Sequence, residues 1–179
     1  MWKRAYLIAG VLVLAQPVLA QKSDFLVRVL ARHNSERVLL AMKPLAWDAK
    51  LAADAAKWAQ HLAATGTFDH APDDPKSAPQ GENLWMGTGR AYSFEDMVDG
   101  WIDEKQFYSP GLFPQVTMTR DWADVGHYTQ LIWYNTTHVG CALATGRGND
   151  VLVCRYSPAG NWDGESPTGP QLPSPKRKQ

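Results

Sequence analysis

Five histidines, two cysteines and a few acids are the residues in this 179-residue chain whose types could do chemistry. The histidines are His33, His61, His70, His127 and His138. An imidazole can hold a metal ion or move a proton near neutral pH, but either task needs partners at a set spacing. No two of the five stand as in a His-Glu-x-x-His helix. The chain also lacks a Gly-x-Ser-x-Gly elbow and a phosphate-binding glycine loop. Taken singly, each histidine reads more plainly as structural, and His61 and His138 read as surface positions.

The sharpest local signal is an acid. Glu104 falls seven residues after Met97 and three after Trp101, on the apolar face of a helix that starts at Ser93. A carboxylate there is costly without a partner. Either the helix has ended and Glu104 reaches solvent, or Glu104 lines a site. Cys141 and Cys154 flank a stretch that reads as a hairpin, with strand-like residues 139–143 and 151–156 around a turn cluster at 146–150. Outside the cytoplasm a Cys141–Cys154 disulfide is the expectation, and two buried free thiols the alternative. The spacing is not Cys-x-x-Cys, which argues against a redox or metal role.

The elements that must position these residues follow from apolar spacing. A helix is expected over 24–42, with Leu26, Val29, Leu30 and His33 on one face and Pro44 closing it. A second is expected over 48–64, where Leu51, Ala55, Trp58, Ala59 and Leu62 form the stripe and Gly66 stops it. Residues 71–80 read as a loop and 81–86 as a short strand. The third helix has Ser93 as N-cap and Asp96 as the capping-box acid, burying Met97, Val98, Trp101 and Ile102. Residues 107–122 form an aromatic loop, and 126–134 fit a short helix as well as a strand. Helices first and a hairpin last give an α+β fold.

Composition bounds the rest. The chain has 18 basic and 18 acidic residues, so it lacks the basic excess of a general nucleic-acid binder. Its 45% apolar content with eight Trp suits one folded domain. Residues 1–20 read as a signal peptide: Lys3 and Arg4 lead an apolar run too short to span a bilayer, and Val18-Leu19-Ala20 offers a cleavage site. The mature chain is then expected to start at Gln21 and to be exported to the medium or a periplasm, with a retained membrane anchor as the weaker alternative. From Gly164 the composition turns to Pro, Gly, Ser and Thr, ending Lys176-Arg177-Lys178, so residues 164–179 are expected to be a disordered tail.

Gly126-His127-Tyr128-Thr129-Gln130-Leu131-Ile132-Trp133 and Tyr156-Ser157-Pro158-Ala159-Gly160-Asn161-Trp162 resemble the two signatures of the CAP superfamily. That superfamily comprises cysteine-rich secretory proteins, antigen 5 and plant pathogenesis-related class 1 proteins. Leu45-Ala46-Trp47-Asp48, Gly81-Glu82-Asn83-Leu84 and Trp101-Ile102-Asp103-Glu104-Lys105 resemble three further blocks in the family's order. The likeness spans residues 24–163, so residues 21–163 are identified as one CAP (SCP) domain.

The resemblance implies a three-layer α–β–α sandwich around a small antiparallel sheet, with a central cleft lined by His70, Glu82, Glu104 and His127. It implies weak Zn binding by His70 and His127, and it answers Glu104 by turning it into that cleft. Cys141 and Cys154 match one plant-type bridge. The other family cysteines are missing, and no cysteine-rich module follows the domain. The resemblance also implies a secreted binder of lipids, sterols or an extracellular partner protein, with residues 107–113 where some members bind sterol. Ordinary loop packing is the plainer reading of those aromatics. A zinc-dependent hydrolase with Glu82 or Glu104 as general base is the alternative, and an inert polar network is a third reading.

Overall fold

The computed structural model describes residues 18–72 and 74–170. The signal-peptide reading falls largely on residues outside these. Helix α1 spans Val18–Leu39, starting earlier and ending sooner than its apolar spacing implied. It stops short of Met42 because Ala41 turns to the left-handed φ of 55°. None of the described helices is long and apolar enough to cross a membrane.

Strand β1 (Ala46–Trp47) leads directly into α2 (Ala49–Thr65), whose N-cap is Asp48. The Asp48 carboxylate accepts the amides of Lys50 and Leu51 at 2.7 and 2.9 Å, satisfying donors a helix start leaves open. Gly66 is the C-cap, as its position implied. Strand β2 is Gly81–Thr88, and α3 (Phe94–Ile102) carries the full Ser93/Asp96 capping box. A 3-10 turn over Asp103–Phe107 continues α3, and a second one precedes the short helix α4 (Gly126–Leu131). Strands β3 (His138–Gly146) and β4 (Asn149–Ser157) form the hairpin.

The sheet order is β1-β3-β4-β2. Three strands are antiparallel, but β1 runs parallel to β3, so the sheet is mixed rather than purely antiparallel. Two residues of β1 are too few to carry a strand period. Both sheet faces are covered, so residues 151–154 of β4 run apolar without alternation. Val151 and Val153 pack with Ala55, Ala59 and Leu62 of α2. Leu152, Cys154 and Tyr156 face the opposite layer, with Val29 of α1, Met97 and Trp101 of α3, and Tyr128 and Leu131 of α4. The result is the expected α–β–α sandwich.

Two glycines set how closely α2 lies on β3. A Cβ on Gly140 would come within 2.2 Å of the Ala52 amide nitrogen, and one on Gly146 within 2.3 Å of the Ala63 carbonyl oxygen. On the other face Arg37 of α1 is buried and donates to the carbonyls of Lys43, Leu131, Trp133 and Thr136 at 2.8–3.1 Å. Burial lowers that guanidinium to about 10. It ties α1 to the C-terminal end of α4.

The expectation of a disordered tail from Gly164 is corrected over its first seven residues. Gly164 donates to the Phe113 carbonyl, Phe113 to Glu165, and Tyr134 to Pro167, at 2.7–2.8 Å. These are backbone bonds, which a polar, proline-rich composition does not reveal. Residues 171–179 lie outside the described ones.

Candidate functional site

The four acids and imidazoles of the expected cleft meet as two dyads. His70, on the loop after α2, donates Nδ1–H to Glu82 Oε1 at 2.7 Å. The Ala71 amide donates to the same oxygen at 3.0 Å. Glu82 lies near the start of β2 and is buried, whereas the His70 side chain is 65% exposed. The bond to Glu82 raises the His70 pKa above its ordinary value, against a smaller opposing effect of burial. His127, on the first turn of α4, donates Nδ1–H to Glu104 Oε1 at 2.6 Å. The other Glu104 oxygen accepts the Tyr128 amide at 2.9 Å.

Glu104 therefore neither escapes to solvent nor stands alone. The 3-10 turn keeps it on the buried side of α3 and aims it at α4. The Trp101 ring, one helical turn back, stacks on the His127 ring at 6.1 Å and 20°. Neither Nε2 has a hydrogen-bond partner among the described residues.

Consecutive residues of strand β2 touch the two dyads. Glu82 and Asn83 are consecutive, so their side chains take opposite sheet faces. Glu82 shares its face with Leu84, toward α2. Asn83 points the other way and donates to the His127 carbonyl at 3.0 Å and the Tyr156 hydroxyl at 3.1 Å. The Tyr156 hydroxyl in turn donates to His33 Nε2 at 2.9 Å, while His33 Nδ1–H donates to the Val29 carbonyl. Burial lowers the His33 pKa to about 4, helped by the charges of Arg37 and Arg32. His33 is thus a neutral core histidine.

Other residues escaped the sequence reading. Arg155 sits directly across from Glu82 on β4, with Nη2 2.7 Å from Oε2. A charged residue inside an apolar strand was the available signal. Asn161, at a left-handed φ of 59°, donates to the Gly126 carbonyl and accepts from Thr129, so the second signature clamps the first. An open groove of about 1100 Å³ runs from His70 and Glu82 past Arg155, Trp58, His61 and Trp162. His61 is exposed, as expected, and stacks on Trp58 at 4.7 Å. His138 is exposed too.

Cys141 and Cys154 are register partners joined as a disulfide, with Cα atoms 4.1 Å apart. With His33 they form the one group of three such residues whose ligand atoms lie within 4.8 Å of one another among the described residues. Sulfurs bonded to each other are not thiolate ligands, so this group is not a metal centre while the bridge stands. The aromatic stretch after Glu104 divides. Phe113 is buried with Val116, Val125 and Trp133, which is loop packing, whereas Phe107, Leu112, Met118 and Trp122 are exposed.

The model for CAP, the cysteine-rich secretory protein family, matches residues 30–156. Pathogenesis-related protein 1A of Nicotiana tabacum is 37% identical over 139 residues, 77% of each chain. Cysteine-rich secretory protein 2 of Cavia porcellus is 36% identical over 144 residues, which is 74% of this chain and 55% of its own length. The crystal structure of NaASP2 with Zn2+ shares the fold at a TM-score of 0.67 and 24% identity, covering 79% of this chain and 83% of that one. Since the family match covers most of the sandwich and includes both dyads, the chain belongs to the cysteine-rich secretory protein (CAP) family.

Proposed function

We propose that this is a secreted CAP-domain protein, similar to plant pathogenesis-related class 1 proteins, whose cleft binds a divalent metal ion weakly through His70 and His127. The observation that carries the reading is that each imidazole is tied at Nδ1 to a carboxylate. A ring held that way presents Nε2 as the ligand atom, and the carboxylate raises its donor strength. Two neutral nitrogen donors suit zinc, with further positions left to water. The NaASP2 structure with Zn2+ is a precedent within the fold. Bound zinc would polarise a coordinated oxygen and favour its deprotonation. The chain's own residues fix the rings: Glu82 and Glu104 hold the tautomers, Trp101 covers one face of His127, and Asn83 and Asn161 anchor the backbone beside it.

Binding is favoured over hydrolysis by the same geometry. Both Glu104 oxygens and Glu82 Oε1 are engaged by ring N–H groups and amides, and Glu82 Oε2 is buried against the Arg155 charge. A general base needs an oxygen available to the attacking water. The exposed Phe107, Leu112, Met118 and Trp122 favour a lipid, sterol or protein partner for the face beside Glu104. Zinc analysis of the mature chain tests the metal reading: His127→Ala should lose uptake and His138→Ala should keep it. Equal uptake by the two variants would contradict it. For the ligand face, Phe107→Ser should weaken capture of a sterol or fatty acid, and unchanged capture would contradict that assignment.

A further inference from the structure

We propose that Arg155 weakens the metal site by neutralising Glu82, which makes His70 the poorer of two unequal ligands. The inference rests on the reading of the cleft as a metal site. Glu82 and Arg155 are direct partners across β2 and β4, and their side chains are only 8% and 15% exposed. Solvent therefore screens their attraction little. Their 2.7 Å approach is off the line a hydrogen bond needs: Glu82 Oε2 and Arg155 Nε have no hydrogen-bond partner among the described residues. Arg155 acts on Glu82 as a charge.

Glu104 is placed differently. Among the described residues, its only ion-pair partner is His127, and the neighbouring Lys105 turns away to Glu36. A carboxylate on Nδ1 pushes electron density toward Nε2 and the metal. A guanidinium on the carboxylate's other oxygen takes part of that push back. One histidine has an uncompensated carboxylate behind it and the other does not.

Losing Arg155 could instead let Glu82 drift, which would weaken the site. The remaining contacts decide against this. Glu82 Oε1 is held by the Ala71 amide at 3.0 Å and by His70 at 2.7 Å, neither of which involves Arg155. The carboxylate keeps its place, and the change in charge governs the outcome.

The test is calorimetric titration of zinc into the full mature chain at one pH. Arg155→Met should bind zinc about tenfold more tightly than the unaltered protein, the lower end of what an outer-shell partner of a ligand is worth. Arg155→Lys should match the unaltered protein. If Arg155 were merely structural, Arg155→Met would bind equally or more weakly, and either result overturns the proposal. Because Arg155→Met leaves a buried carboxylate without its counter-charge, a charge-balanced pair guards against misfolding. Glu82→Gln should bind about tenfold more weakly, and adding Arg155→Met to it should bring no gain; a tenfold gain in that background would mean Arg155 does not act through Glu82 and overturns the proposal. Zinc uptake by the unaltered chain with no change in Arg155→Met removes this inference alone. No uptake by any form removes the metal reading as well.

Discussion

The Glu104 carboxylate spans two consecutive residues of α4, accepting the His127 Nδ1–H on one oxygen at 2.6 Å and the Tyr128 amide on the other at 2.9 Å. One acid thereby orients the imidazole and satisfies an amide in the first turn of the helix that carries it. The first turn also favours a negative charge on general grounds. The same acid joins the end of α3 to the start of α4.

Glu104→Gln should damage both functions. An amide has one acceptor oxygen, so its NH2 would face an N–H donor where the carboxylate had an acceptor. Zinc affinity should fall by roughly ten- to a hundredfold, and the melting temperature should drop. An isothermal titration with unchanged affinity would count against Glu104 as the partner of His127.

Arg37 is expected to be among the most sensitive positions in the chain. Its guanidinium donates to three backbone carbonyls around the end of α4 and to that of Lys43. Arg37→Met removes those donors and leaves buried acceptors unmet, at about 1–3 kcal/mol each where no water enters. A loss of at least about 3 kcal/mol in a denaturant titration is expected, with little rescue by Arg37→Lys. A loss below about 1 kcal/mol would mean water replaces the guanidinium.

His33 predicts a pH dependence. Its folded pKa is about 4 against an ordinary 6.5. Between those values the unfolded chain binds a proton that the folded chain refuses, so stability falls as pH drops through that window. Above pH 6.5 the ring is neutral in both states and the effect vanishes. The contribution approaches 1.4 kcal/mol per pH unit, about 3 kcal/mol in all. Denaturation of His33→Gln and the unaltered protein from pH 4 to 7 isolates it. Parallel stability curves would show that His33 is not the titrating group.

How much of this was legible beforehand depended on whether the signal was local. The α2 stripe, the Ser93 capping box and the four buried residues of α3 follow from helical spacing and were readable directly. Glu104 was readable as an anomaly, and the resemblance paired it with a site. The Glu82–Arg155 contact was not, because it needs the register of β2 against β4, which 72 intervening residues conceal. Helix α1 was only partly legible. Its buried face carries His33, Glu36 and Arg37, and polar residues with distant partners blur the apolar period.

The segment after Asp163 gives a correction that can be measured. A chain ending at Asp163 should melt lower than one ending at Pro170. It loses the backbone bonds of Gly164 to Phe113, Phe113 to Glu165 and Tyr134 to Pro167. At about 1 kcal/mol per bond, and about 2–4 °C per kcal/mol for a domain of this size, a fall of roughly 6–12 °C is expected. Identical melting temperatures would mean these contacts add nothing.

The proposed metal binding requires His70 and His127 to act on one metal ion. Zinc titrated calorimetrically into the unaltered mature chain and into a His70→Ala, His127→Ala double variant tests this most directly. One weak zinc site in the former and none in the latter is the predicted result. Equal zinc affinity in the two proteins would contradict the account and leave the dyads as a hydrogen-bonded network without a metal role.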